Sequence, residues 1–327
     1  MDIKQFEKIC RMTQGEAKKY VAKKLAKTHG NVEVADGFVF ARGTFPVLLV
    51  AHLDTVHAQV PRKIVYDRFN NRMSSPQGIG GDDRCGIYMI LEIVKKYHCS
   101  VLFCEDEEVG GIGADKFIES AFPRDLSVNY IVELDRKGSN DAVFYRCGND
   151  DFEDFVCTEH FKTNWGTFSD ISVIAPFMGV AAVNLSCGYY NAHTTNEYVA
   201  LDEMDANIKH VCNILERTPD KVFEYVAVVY TSMYESAYGS AYNYDGYGNT
   251  GHGSTGYSTA YDAYEDDDTD YWMIEYTDID GVTQWDYVWA RTDDEAVGKF
   301  MCKHPFITYN DITDMCAYNY AESTGAR

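Results

Sequence analysis

Five short segments rich in histidine and carboxylates punctuate the first two-thirds of the chain: His52-Leu53-Asp54, Gly81-Asp82-Asp83, Glu105-Asp106-Glu107-Glu108, Glu133-Leu134-Asp135 and Asn191-Ala192-His193. Each sits where an apolar, strand-like run ends. Open α/β sheets collect functional groups outside the carboxyl ends of their strands. The pattern therefore predicts an α/β domain whose strands deliver these side chains to one edge.

The stretches between the segments agree. Ile3, Phe6, Ile9, Ala17, Tyr20, Val21 and Leu25 recur at helical spacing with a break near Thr13, predicting one or two amphipathic helices that pack on a sheet. Strands are predicted at 32–34, 38–41, 47–51, 64–66, 101–104, 130–134, 142–145 and 180–185, and helices at 84–97, 114–121, 151–161 and 203–216. Strands alternating with helices imply a mixed, mostly parallel sheet flanked by helices on both faces.

This domain is expected to span residues 1–218. Composition then shifts, for no Lys or Arg occurs between Lys221 and Arg291, and Tyr, Gly, Ser and Asp dominate. A mobile low-complexity linker is expected over 219–270, with Tyr230, Tyr234, Tyr238 and Tyr242 spaced for a helical start. A small α+β domain is expected over 271–327. Its signals are a hairpin about Asp280-Gly281, a helix start at 292–295 and a last strand near 306–309.

A net charge of −22, from 51 acidic and 29 basic residues, argues against a nucleic acid or an anionic membrane surface as the main partner. The ten cysteines are scattered with no CxxC pair, as in a reduced protein, and the lysine-rich N-terminus carries neither a signal-peptide pattern nor a membrane span. A cytoplasmic location is the expectation.

The five segments carry a specific chemistry. Two divalent cations about 3.5–4 Å apart need a shared ligand, usually a carboxylate, with imidazole or carboxylate on either side. Asp82 is the bridging candidate, His52 and Asp135 one pair, and Glu108 and His193 the other. Asp54, two residues from His52 on an extended chain, is placed to accept the imidazole's second N–H. Glu107 is the candidate general base toward a water that the ions acidify.

AHLDTVH at 51–57, GIGGDDRCG at 78–86, EDEEVGG at 105–111, ELDRKGSNDAV at 133–143 and NAHTTNEYV at 191–199 resemble the co-catalytic zinc exopeptidases, with peptidase T-like proteins nearest. The resemblance covers about residues 1–218. It implies the zinc exopeptidase fold and removal of N-terminal residues from short peptides. Two ions are implied, zinc with Mn or Co as alternatives, held by His52, Asp82 and Asp135 and by Asp82, Glu108 and His193, with Glu107 as base. It also implies a cis peptide bond at Asp82-Asp83. One departure is that Asp135 and His193 are only 58 positions apart, too short for the inserted lid and dimerisation domain of peptidase T. The oligomeric state is accordingly left open.

Taken singly the segments are weak, since an isolated HxD or an acidic quartet is ordinarily a solvated loop; their order carries the reading. Asp83 is read as structural or as standing behind the ligands, and Thr167, Ser169 and Asp170 lie in a stretch that resembles a segment of the family that stands behind the ligands or lines the pocket. His57, His98, His160, His210 and His252 lack a matching context and are read as surface, core or linker residues. Two rivals stand beside the peptidase: an amidohydrolase or carboxypeptidase for N-acyl amino acids, and a non-catalytic binding protein that uses the Tyr-rich tract and C-terminal domain.

Overall fold

The computed structural model describes residues 1–158, 160–166, 168–226, 270–277, 283–290 and 312–318, together with 296, 297, 299 and 300. It divides into two compact units, Met1–Ala227 and Val228–Arg327.

The first unit opens with α1 (Ile3–Cys10) and α2 (Gln14–Leu25). Asp2 caps α1 by accepting the Gln5 N–H at 3.0 Å, and Thr13 and Glu16 form a reciprocal capping box that restarts the helix. Strands β1 (Glu33–Ala35), β2 (Phe38–Ala41), β3 (Phe45–His52), β4 (Val65–Asp67) and β5 (Arg72–Ser74) follow, then α3 (Gly81–Ile93), β6 (Cys99–Cys104) and α4 (Ile112–Glu119). The unit continues through β7 (Tyr130–Arg136), β8 (Asp141–Val143), α5 (Asp150–Val156), β9 (Lys162–Asn164) and α6 (Ile171–Met178). It ends with β10 (Ala182–Ser186), β11 (Tyr189–Tyr190), β12 (Tyr198–Ala200) and α7 (Leu201–Glu216).

Eight strands form one sheet in the order β1-β2-β6-β3-β7-β10-β8-β9, with β6, β3, β7 and β10 parallel at its centre. Both faces are covered, so the central strands are apolar on both sides and alternate by parity. Along β3, Val47, Leu49 and Ala51 join the cluster under α1, α2, α3 and α7, whereas Leu48 and Val50 join Phe117 and Ile174 under α4 and α6. Each such Val, Leu, Ile or Phe side chain contributes about 1.5–3 kcal/mol by leaving water. A separate sheet, β11-β12-β5-β4, is built from the segments that follow β3 and β10.

The mixed, mostly parallel sheet matches the expectation. The helix predicted at 151–161 stops at Val156 and gives way to β9, while β5, β11, β12 and α6 were not predicted. Residues beyond 218 belong to this unit: the Phe223 N–H donates to Asn129 O at 2.8 Å, and its ring packs on Phe152 at 5.1 Å and Phe155 at 5.2 Å. Among the described residues, no helix is long and apolar enough to cross a membrane.

In the second unit β13 (Asp270–Thr277) pairs antiparallel with β14 (Thr283–Ala290) and with β15 (Ile312–Tyr318). Ile274, Val288, Ala296 and Phe300 form its small core. The two hairpin strands agree with the sequence; β15 was not predicted. The Tyr-rich residues 227–269, with His252, lie outside the described residues, as do Asp280-Gly281, 292–295, 306–309 and Thr167.

Candidate metal centre

Strand register brings the first pair together. Val50 of β3 lies opposite Glu133 of the parallel β7, so two residues further on His52 and Asp135 leave their strands side by side and on the same face. His52 Nε2 lies 3.4 Å from Asp135 Oδ1 and 3.0 Å from Asp82 Oδ1. Asp82 sits in the non-helical entry to α3, after Gly80 (φ +67°) and before a cis Asp82-Asp83 bond. Its second oxygen, Oδ2, lies 3.2 Å from His193 Nε2, which in turn lies 3.1 Å from Glu108 Oε2. The five side chains thus form two groups, His52-Asp82-Asp135 and Asp82-Glu108-His193, with the polar atoms of each group within 4.8 Å of one another.

Neighbouring bonds aim these groups. Asp54 accepts from His52 Nδ1 at 3.1 Å, which turns Nε2 toward the cluster, and also from the Glu107 and Glu108 N–H groups at 3.1 Å each. The acidic quartet divides. Glu105 binds Lys18 Nζ at 2.5 Å and Asp106 accepts from Gln14 at 3.0 Å, so these two anchor the turn to α2. Asp83 acts as a cap on the regular part of α3, accepting the Gly86 N–H at 2.8 Å and the His52 N–H at 3.2 Å. Arg84, buried beneath, donates to Leu53 O at 2.6 Å and Met12 O at 3.0 Å.

Several contributors were not foreseen. Asn184 Oδ1 accepts the Asp135 N–H at 2.9 Å, Tyr189 donates to Asp135 O at 2.9 Å, and Glu197 accepts the Asp82 N–H at 3.0 Å. Only Glu197 falls inside a quoted motif; the others carry no local signal. His57 is not a bystander, since its Nε2 lies 2.9 Å from Glu197. His98 stacks on His29 and His160 on His210. Ser169 donates to Glu133, and Asp170 is buried beside the Cys104 thiol.

The electrostatics are those of crowded carboxylates. Burial opposes ionisation of Asp82, yet the bonds to His193 and His52 hold it far below the ordinary carboxylate range. Burial and then the charge of Asp82 push Asp135 well up. Burial also raises Glu107 well above its usual value; the charge of His52 opposes this, and Asp135, Asp170 and Glu108 reinforce it. Bonds to Asp82 and Glu108 lift His193 to about 10. His52 is raised too, because Asp135, Asp54 and Asp82 outweigh its burial. Burial and Asp170 push Glu133 up to about 8.

The residues fit a pair of divalent cations. Each group offers one imidazole nitrogen and carboxylate oxygens, a borderline donor set suited to Zn, Mn or Co. Glu108 Oε1 is buried without a partner, an acceptor that a cation would satisfy. The side chain of His193 is 54% exposed, so the cluster opens on that side. A groove of about 580 Å³, lined by Arg124, Val128, Met178, Val222 and Tyr225 among others, contains none of the clustered residues.

No family model and no curated protein sequence matches this chain. Its structure is similar to that of aminopeptidase PepT from Bacillus cereus, with a TM-score of 0.52 and 15% identity over 65% of this chain and 97% of that one. A tripeptidase from Staphylococcus aureus gives a TM-score of 0.52 at 14% identity, over 65% and 96% of the two chains. An aminopeptidase from Desulfurococcus kamchatkensis gives 0.50 at 15%, over 66% and 95%. At such identities the property held in common is the architecture. The eight-stranded, helix-flanked sheet, with His52 and Asp135 at the ends of two of its strands, matches the fold of these aminopeptidase and tripeptidase structures.

Proposed function

We propose that this chain is a two-cation exopeptidase that removes the N-terminal residue from short peptides. The observation that carries the reading is Asp82, whose two oxygens face different histidines at 3.0 and 3.2 Å, as a bridging carboxylate must. In this reading His52 and Asp135 complete one site and Glu108 and His193 the other. The similarity in fold to two aminopeptidases and a tripeptidase supports a peptide as substrate.

Bound cations would supply Lewis acidity, polarising the scissile carbonyl and lowering the pKa of water. The chain's own residues do the rest. Glu107, whose burial raises its proton affinity, takes the proton from the attacking water and returns it to the leaving amine. Asp54 holds His52 in one tautomer and, through two backbone bonds, fixes the turn that presents Glu107 and Glu108. The exposed side of His193 is the entrance for substrate.

Metal content measured together with turnover of free-amine and N-acylated di- and tripeptides, before and after chelation, tests the proposal. Expected are two equivalents of a divalent cation, turnover of the free-amine peptides, and loss on chelation that added metal restores. Glu107→Gln should keep the metal and lose about 10²–10⁴-fold in turnover. Full turnover in that variant, or none in a metal-loaded wild type, would overturn the reading. Turnover confined to N-acylated substrates would move it to an amidohydrolase.

A further inference from the structure

The glycines before Asp82 leave room for side chains that arrive from elsewhere. A Cβ on Gly78 would lie 2.1 Å from the His57 ring, and one on Gly81 would lie 2.7 Å from Tyr189 Cβ and 3.2 Å from Glu197 Oε1. Through this opening Glu197 reaches the backbone. Its Oε2 accepts the Gly80 N–H at 2.8 Å and its Oε1 the Asp82 N–H at 3.0 Å, while His57 Nε2 lies 2.9 Å from Oε2. Glu197 is fully buried and belongs to the loop that carries His193, its own N–H donating to Thr194 O at 3.2 Å. One carboxylate therefore ties together the loop after β3, the entry to α3 and the loop of His193.

We infer that Glu197 is a positioning residue for Asp82 and that His57 acts through it; the inference rests on the two-cation reading above. Glu197 grips the N–H groups of Gly80 and Asp82, the residues on either side of Gly81, so it fixes the Asp82 backbone while leaving both Asp82 oxygens free to face His52 and His193. Bonds to an ionised acceptor are roughly twice as strong as neutral ones. A buried carboxylate is tolerated only while its donors stay in place, which makes the arrangement specific as well as strong. An amide cannot replace it. Gln has one acceptor oxygen, and its NH₂ would face an N–H or the imidazole, so at least one of the three bonds is lost.

Zinc ion itself is the probe. Metal-free wild type, Glu197→Gln, His57→Ala, the double variant and Phe117→Leu, a core change under α4, are titrated with zinc against a chromophoric chelator well below their melting temperatures. Because Asp82 belongs to both groups, Glu197→Gln should weaken both sites together by about 10–100-fold. His57→Ala should weaken them less, and the double variant no more than Glu197→Gln alone. In peptide assays at saturating zinc, Glu197→Gln should lower kcat with little change in KM. Phe117→Leu should lower the melting temperature and leave zinc affinity unchanged. If Glu197→Gln does not fold, Glu197→Asp carries the same expectation, since its shorter side chain keeps the charge but cannot span both donors. Zinc uptake by the wild type with unaltered uptake by the folded Glu197 variant would overturn this inference alone. No uptake by the wild type would overturn the two-cation reading and this inference with it.

Discussion

Asp54 shows how one short side chain organises a site. It is bonded to His52 and to two successive amides of the Glu107-Glu108 turn, so its removal should loosen a ligand and the proposed base at once. Asp54→Ala is expected to lower cation affinity by about 10–100-fold, read by zinc titration, with a smaller effect on stability. An unchanged affinity would mean that His52 is held by its strand alone. At this scale the five motifs were legible because the residue types are chemically unusual and three of them close the apolar runs of β3, β6 and β7, while Asp82 instead opens α3 and His193 follows a two-residue strand. The anchoring of Glu105 and Asp106 and the role of Glu197 were not legible, because each is set by partners as distant in sequence as Lys18, Gln14, His57 and Asp82.

The elements that matter most are β3, β7 and α3. A Cβ added at Gly86 on α3 would fall 1.8 Å from the carbonyl oxygen of Leu134 in β7, a backbone atom that cannot swing aside. Gly86→Ala should therefore destabilise by about 1–3 kcal/mol, measured as a lower urea midpoint at unchanged m-value, and wild-type stability would refute the close approach. Long periodic segments such as α2, α3 and α7 were predicted within a few residues. The helix α6, IleSerValIleAlaProPheMet, was not, since its β-branched residues and Pro176 give no helical signal and burial decides it. Strands β9 and β11, of three and two residues, are too short to show any period at all.

At the scale of the whole molecule, all the clustered side chains lie in the unit that ends at Ala227. A chain cut after 227 is expected to keep cation binding and turnover. A chain cut after 218 loses Phe223 from its pocket among Tyr130, Phe152 and Phe155, together with the bonds to Asn129 and Ala181. By analogy with a Phe→Ala core change it should lose about 3 kcal/mol, on the order of 6–12 °C in Tm by thermal denaturation. Equal melting temperatures for the two truncations would show that 219–226 add nothing to this unit.

Residue order alone determined the α/β class and the five places where chemistry is concentrated, because hydrophobic period and side-chain type are local properties that survive in one dimension. The tertiary structure decided which oxygens of Asp82 face which histidine, that Glu105 and Asp106 are held by α2, and that Glu197 and His57 stand behind Asp82. Those are distances between groups tens to more than a hundred residues apart, set by strand register and loop packing, and no local pattern encodes them.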